Sequence, residues 1–311
     1  MKLDVGASLV LGHVLISRNG LVGDIDTDDA GIRLAARDGK RHASLKNFRS
    51  RGHEEDLWYK SCSTADRASV LRQSEPRFGK QRSTLLVNSL FERLKASCQD
   101  DWQAYVTHSF VERLGTGRLP LDCFKHYLGQ DYIFLMHFAR AYALAVFKSE
   151  HLDDMRQAAG TLGALLDSEM SLHIRYCARW GLDEDALMDL PEAEPNMAYT
   201  RLVLERGLSG DLLDLLVALA PCVVGYGEVG SRLMAEHGAG LSNNPYREWV
   251  ETYAGEEYQA VVRSAIAQLD RVAQRRAGDV TEGSPRWQSL ATTFRAATRL
   301  EAGFWEMGLN P

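Results

Sequence analysis

From Leu85 to the C-terminus the chain repeats apolar residues at helical spacing, and no segment alternates apolar and polar residues as a half-buried strand does. That periodicity rules out any sheet-based core for this part and predicts an all-α domain of about eight helices. The predicted helices are 84–114, 123–148, 152–180, 197–206, 211–236, 246–253, 255–276 and 286–307. The stretch Gly115–Pro120 (GTGRLP) is a strong breaker between the first two, and Asp122 is a suitable N-cap for the second. The helix 123–148 is apolar around most of its circumference, which predicts a central position. At about 230 residues the domain exceeds a plain four-helix bundle.

Residues 1–82 read differently. They carry 15 Lys+Arg against 11 Asp+Glu, or +4, leaving −10 for the remainder of a chain whose formal net charge is −6. They lack sustained periodicity. Residues 9–16 and 31–36 have the composition of short strands, and 46–82 is a highly charged stretch of linker character. Two organisations fit, a poorly ordered extension or a small β-containing module. Either way the expected division is 1–82, extension, and 83–311, an all-helical catalytic domain.

Composition narrows the function classes. The acidic balance argues against nucleic acid as a main partner. Five cysteines without CxxC spacing argue for free thiols in a reducing compartment and against a zinc site. No stretch reaches about 18 uninterrupted apolar residues; the longest candidate, 212–233, is interrupted by Asp214, Pro221 and Glu228. The expectation is a cytoplasmic protein with no membrane partner.

Polar residues inside apolar helices carry the chemical information, because burying them costs free energy unless something pairs with them. Asp131, in LGQDYIFLMHF, is one; Phe134 lies one turn on, on the same face. Such a carboxylate is either a buried structural partner or a group aimed into a pocket. Cys222 directly follows Pro221 in ALAPCVVGYGEVG, with Tyr226 one turn along. A proline in a helix interior predicts a kink. A lone apolar-site cysteine is ordinarily inert unless its pKa is lowered or a base adjoins it. Glu169 and His173 are spaced i, i+4, where helical metal sites use Glu-x-x-His; a structural Glu–His hydrogen bond fits that spacing better than a ligand pair. Glu301 sits among Phe294, Leu300, Phe304 and Trp305, surroundings that raise a carboxyl pKa if it is buried. Tyr199 follows the Pro195 break in PNMAYT, Tyr253 lies near the end of NPYREWVETYAG, and both fit as core tyrosines with satisfied hydroxyls.

Six segments, in order, resemble the TenA / thiaminase II family, which has the haem-oxygenase-like all-α fold: HSFVERLGTGRLPLDCFKHYLGQDYIFLMHFARA, SEMSLH, PNMAYT, LAPCVVGYGEVG, NPYREWVETYAGEEY and RLEAGFWEMG. Together they cover about residues 85–311. The resemblance implies hydrolysis of thiamin, or of its aminomethylpyrimidine breakdown product, to hydroxymethylpyrimidine, by a homotetramer with no cofactor and no metal. It places the nucleophilic cysteine on Cys222, the acid on Glu301 and the pyrimidine-reading aspartate on Asp131. Pocket tyrosines fall on Tyr199, Tyr226 and Tyr253, and Phe134 stands where some relatives carry tyrosine. The implied mechanism adds Cys222 to the ring while Glu301 protonates a ring nitrogen, with Tyr199 and Tyr253 near the sulfur or the attacking water. Two rival classes remain: a metal-dependent oxidase on the same fold, which would need a His/carboxylate cluster, and a non-catalytic ligand-binding regulator.

Overall fold

The computed structural model describes residues 89–311 and, ahead of them, four short strands. The chain divides into two compact units, Met1–Glu75 and Pro76–Pro311. In the first, β1 (Ile16–Ser17) pairs antiparallel with β2 (Gly20–Leu21), and β3 (Ile25–Asp28) with β4 (Gly31–Leu34). The expected strand at 31–36 overlaps β4. Of the expected strand at 9–16 only Ile16 is among the described residues, and the linker at 46–82 lies outside them.

The second unit is helical throughout its described length. Its first expected helix, 84–114, is three: α1 (Leu90–Ala96), α2 (Gln99–Val106) and α3 (Ser109–Gly115). Residues 84–88 lie outside the described part. The breaks arise from local capping that periodicity does not register: the Ser97 hydroxyl donates to the Leu94 carbonyl, and His108 Nδ1 accepts the Phe110 N–H. After α3 the chain reverses at Gly117, whose φ of +72° is natural only to glycine. Helix α4 (Leu121–Lys148) starts earlier than expected, with Pro120 at the N-cap and Asp122 inside the first turn, where a carboxylate favours the positive helix end.

Next come α5 (Leu152–Ala164), a π-helical turn (Leu165–Glu169) and α6 (Met170–Ala178), which together occupy the single helix expected at 152–180. The short α7 (Glu184–Met188) was not expected. Then follow α8 (Glu194–Ser209), α9 (Leu212–His237), a 3-10 segment (Gly238–Asn243), α10 (Arg247–Ala254), α11 (Glu256–Ala277) and α12 (Pro285–Leu309).

The core helix is α9, which packs on α10, α11, α12 and α8. Its start is fixed by a reciprocal capping box: Asp211 accepts the Asp214 N–H at 3.1 Å, and Asp214 accepts the Asp211 N–H at 2.9 Å. The Arg286 guanidinium joins both carboxylates. The stretch Leu212–Asn243 is long and apolar enough to cross a membrane by length and composition, but its most apolar 18-residue window is 94% buried inside the fold. The helix does not break at Pro221. Close approach is instead achieved by glycine: a Cβ on Gly230 would lie 2.6 Å from the Tyr253 backbone carbon, and one on Gly225 would lie 2.2 Å from the Tyr105 ring.

Candidate active site

A small cavity of about 50 Å³ lies between α4, α9 and the π turn, lined by Asp131, Phe134, Glu169, Cys222 and Tyr226 among others. Four of the seven side chains expected from the sequence therefore share one wall. The helical period explains the α4 contribution. Tyr127, Asp131, Phe134 and Phe138 recur every three or four residues and form one stripe on a helix buried almost all round. On α9, Cys222 and Tyr226 are one turn apart and both face the cavity.

Asp131 is 3% exposed. Its Oδ2 accepts from His173 Nε2 at 2.7 Å and from the Tyr127 hydroxyl at 3.1 Å. The Tyr127 hydroxyl in turn accepts the Trp249 indole N–H at 3.3 Å and lies 3.4 Å from the Tyr226 hydroxyl. His173 Nδ1 meets the Glu169 backbone carbonyl at 2.9 Å. A carbonyl only accepts, so Nδ1 carries a proton, and the contact of Nε2 with a carboxylate makes the ring an imidazolium. Burial opposes that charge, but the hydrogen bond and charge of Asp131, reinforced by Glu169, outweigh it and raise the His173 pKa. The result is a buried ion pair that orients Asp131. Asp131 lines the cavity, and its Oδ1 has no hydrogen-bond partner among the described residues.

The Glu–His hydrogen bond expected between Glu169 and His173 is not formed by the side chains. His173 uses the Glu169 backbone, while Glu169 Oε1 accepts the Tyr253 hydroxyl at 3.0 Å. With both ring nitrogens engaged, His173 has no lone pair for a metal. The metal-capable group found among the described residues, Glu112, Glu236 and His237, lies elsewhere, and Arg232 already bridges its two carboxylates.

Glu301 and Tyr199 do not line the cavity; they lie behind it. Glu301 is 2% exposed, and its Oε1 accepts the Tyr199 hydroxyl at 2.7 Å. Burial pushes its pKa up to about 8, against the opposing effect of the Tyr199 hydrogen bond. It is therefore largely protonated at neutral pH. The Cys222 thiol is pushed well above its ordinary value by burial first and by the neighbouring Glu301 next. Cys222 is thus no standing thiolate: of the two routes to activation that a cysteine has, a lowered pKa and an adjacent base, only the second is open. Tyr253 packs its ring on Tyr226, with centroids 5.0 Å apart, and points its hydroxyl at Glu169. Phe134 closes the other side, 5.1 Å from the rings of both Phe138 and Tyr199.

Sequence reasoning missed His173 as the partner of Asp131, Tyr127 as its second donor, and Tyr258 as a wall residue. Tyr127 was findable, four residues before Asp131 on one face. His173 was not, because nothing in α6 states which helix it meets. Gln130, beside Asp131, has a bracing role: its side chain accepts the Ala193 N–H at 2.9 Å and donates to the Pro191 carbonyl at 2.9 Å, fixing the approach to α8.

The sequence profile described as the TENA/THI-4/PQQC family matches residues 95–310. An uncharacterised protein of Haemophilus influenzae is 38% identical over 71% of this chain and 99% of its own length. An aminopyrimidine aminohydrolase of Halalkalibacterium halodurans is 34% identical over 71% of this chain and 94% of its own. Among solved structures, a TenA family transcription regulator from a Silicibacter species is 51% identical, covering 71% of this chain and 96% of that one, with a TM-score of 0.68. A protein of heme oxygenase-like fold from Shewanella denitrificans, 12% identical over 70% of this chain and 90% of its own with a TM-score of 0.54, shares the fold alone. The all-α, haem-oxygenase-like architecture expected from the sequence is the one observed.

Proposed function

Because the chain belongs to the TENA/THI-4/PQQC family, we propose that it is an aminopyrimidine aminohydrolase of the thiaminase II type, a hydrolase of thiamin salvage. The observation that carries this reading is the oriented Asp131 carboxylate, held by His173, with one oxygen free of hydrogen-bond partners among the described residues, on the wall of a cavity that Cys222 also lines. An aminopyrimidine offers an amino edge that such an oxygen accepts from, and faces that Phe134 and Tyr226 pack against. The 34% identity to a curated aminopyrimidine aminohydrolase supports the same chemistry.

In the proposed mechanism the Cys222 sulfur adds to the ring carbon beside the one bearing the methylene, and the adjoining ring nitrogen takes a proton from Glu301. The exocyclic amino nitrogen then releases a proton to Asp131 and pushes its electrons through the ring. The carbon–nitrogen bond of the methylene breaks, its electron pair leaving with the nitrogen as ammonia or thiazole. Water adds to the exposed methylene as Asp131 returns its proton to the exocyclic nitrogen, the water's surplus proton passes to the released amine or to solvent, and the ring nitrogen gives its proton back through Glu301 to the departing Cys222 thiol. Both Cys222 and Glu301 are neutral at the outset, so the sulfur–acid pair needs no standing charge of its own beside the Asp131–His173 ion pair. Glu301 gives its proton to the ring and takes the thiol's, and the net transfer runs from sulfur to nitrogen. Tyr199 holds the Glu301 carboxyl in place for both transfers.

Residues 83–311 are the proposed catalytic domain, with 1–82 as an extension. The proposed assembly is a cytoplasmic homotetramer, for which exposed Phe147 and Leu208 supply apolar surface to cover. Light scattering tests the assembly. The function is tested by incubating the protein with aminomethylpyrimidine and with thiamin and measuring hydroxymethylpyrimidine. Release from either is the expected result, the ratio of kcat/KM values gives the preferred substrate, and no release from both refutes the reading.

A further inference from the structure

The proposed chemistry uses Asp131, Cys222 and Glu301 and leaves one cavity carboxylate without a role. Glu169 closes the π turn that interrupts the α5–α6 helix, and such turns are rare and concentrate at functional sites. Its Oε1 takes the Tyr253 hydroxyl, and its Oε2 has no hydrogen-bond partner among the described residues. Burial raises its pKa, with the charge of His173 opposing the rise.

Glu169 also lines a second space, a cleft of about 690 Å³. The cleft shares Thr161, Leu165, Glu169, Tyr258 and Val261 with the inner cavity, so Glu169 stands on the boundary between the two. The cleft wall carries Glu248 and Glu257 besides Glu169, against Arg175 on the wall and Arg179, which pairs with Glu248 at 3.4 Å, a balance that still leaves a net negative charge for a cation.

The chemistry of the ring fixes what faces that boundary. The amino group and the carbon attacked by sulfur flank the carbon that bears the methylene. With Asp131 on one flank and Cys222 on the other, the substituent projects between them. Both leaving groups are cationic while attached, as an ammonium or a thiazolium, and neutral once the nitrogen has taken the bond pair.

We propose that Glu169, positioned by Tyr253, is the anionic seat for the cationic leaving end of the substrate, and that the outer cleft takes leaving groups larger than ammonium. This inference rests on the aminopyrimidine reading of the inner cavity. The attraction acts on the bound substrate and fades as the bond breaks, so it lowers KM without raising kcat, and it does not hold the departing neutral product.

The test is equilibrium titration in a Cys222→Ala background, where turnover is blocked. The parent and its Glu169→Gln derivative are each titrated with cationic aminomethylpyrimidine and with neutral hydroxymethylpyrimidine. A lost charge-assisted contact weakens the cation roughly 10- to 100-fold and changes the neutral compound by less than about threefold. Glu169→Asp, which keeps the charge but retracts it, falls between and guards against a folding defect in the first variant. With Cys222 restored, Glu169→Gln raises KM and leaves kcat unchanged or higher. Equal weakening of both compounds assigns Glu169 a merely structural role, and weakening of neither removes it from the site; each overturns the inference and leaves the aminopyrimidine reading intact. If the parent binds neither compound, the aminopyrimidine reading fails and the inference falls with it.

Discussion

Replacing His173 by alanine tests the buried ion pair on which the site is built. His173 and Asp131 are 2% and 3% exposed and 2.7 Å apart. Removing one member of such a pair leaves an uncompensated charge in a dry setting, at a cost of about 3 to 5 kcal/mol. For a domain of this size each kcal/mol moves Tm by about 2 to 4 °C, so the melting temperature falls by roughly 6 to 20 °C. The alanine also opens a void, and a double-mutant cycle with Asp131→Asn separates the two effects. With the carboxylate already gone, the second substitution costs only the void. The double variant is expected to be more stable than the sum of the singles by about 2 kcal/mol or more. The pH dependence adds a second handle. The folded pKa of His173 lies above its unfolded value of about 6.5, so the pair's contribution is complete below that value and is lost as pH rises through the folded pKa. The difference in Tm between wild type and His173→Ala is therefore largest in mild acid and narrows with rising pH. Calorimetry of the four proteins at two pH values is the assay. Additive singles, or a Tm shift under about 2 °C, refute the ion-pair account.

Cys222→Ala is expected to reduce hydroxymethylpyrimidine release by about a thousandfold or more with an unchanged melting curve, and near-wild-type turnover by that variant sinks the nucleophile assignment. Since Glu301 must be protonated to act, kcat/KM is expected to fall above pH about 8. Tyr199 lowers that pKa by its hydrogen bond, so Tyr199→Phe should move the basic limb upward; a limb that stays put or moves down contradicts the assignment. Gly230→Ala sets a methyl 2.6 Å from the Tyr253 backbone, which a side-chain rotation cannot relieve. The expected cost is about 2 kcal/mol or more, read by chemical denaturation, and a cost under about 0.5 kcal/mol would mean that the α9–α10 contact is looser than described.

Most of the helices were legible because each presents a regular apolar face, and the ends of α9, α11 and α12 fall within two residues of expectation. The breaks in the first expected helix were not, since Ser97 and His108 interrupt a period that the apolar residues carry straight through. The π turn left no trace for the same reason: one extra residue in a turn shifts a face without ending it. Within the site, Asp131 and Glu301 stood out as carboxyls in apolar surroundings, and burial bears out that contrast. Pro221 predicted a kink, and the helix runs through it without a break. Nothing in the periodicity marks the glycines of GYGEVG, although Gly225 and Gly230 set how closely Tyr105 and α10 approach. His173 was noticed but paired with its sequence neighbour, because periodicity relates residues along one helix and is silent about the helix opposite.

The π turn has a meaning for descent as well as for binding. A helix advances about 100° per residue, so loss of one codon between Leu165 and Glu169 would restore regular winding and swing a different side chain toward the leaving group. Asp131, Cys222 and Glu301 sit on other helices, but His173, which orients Asp131, lies on α6 directly after the turn, so they keep their places only where the loss is taken up on the α5 side. Lineages that differ by that single codon are expected to share the ring chemistry and to part in what they release from it.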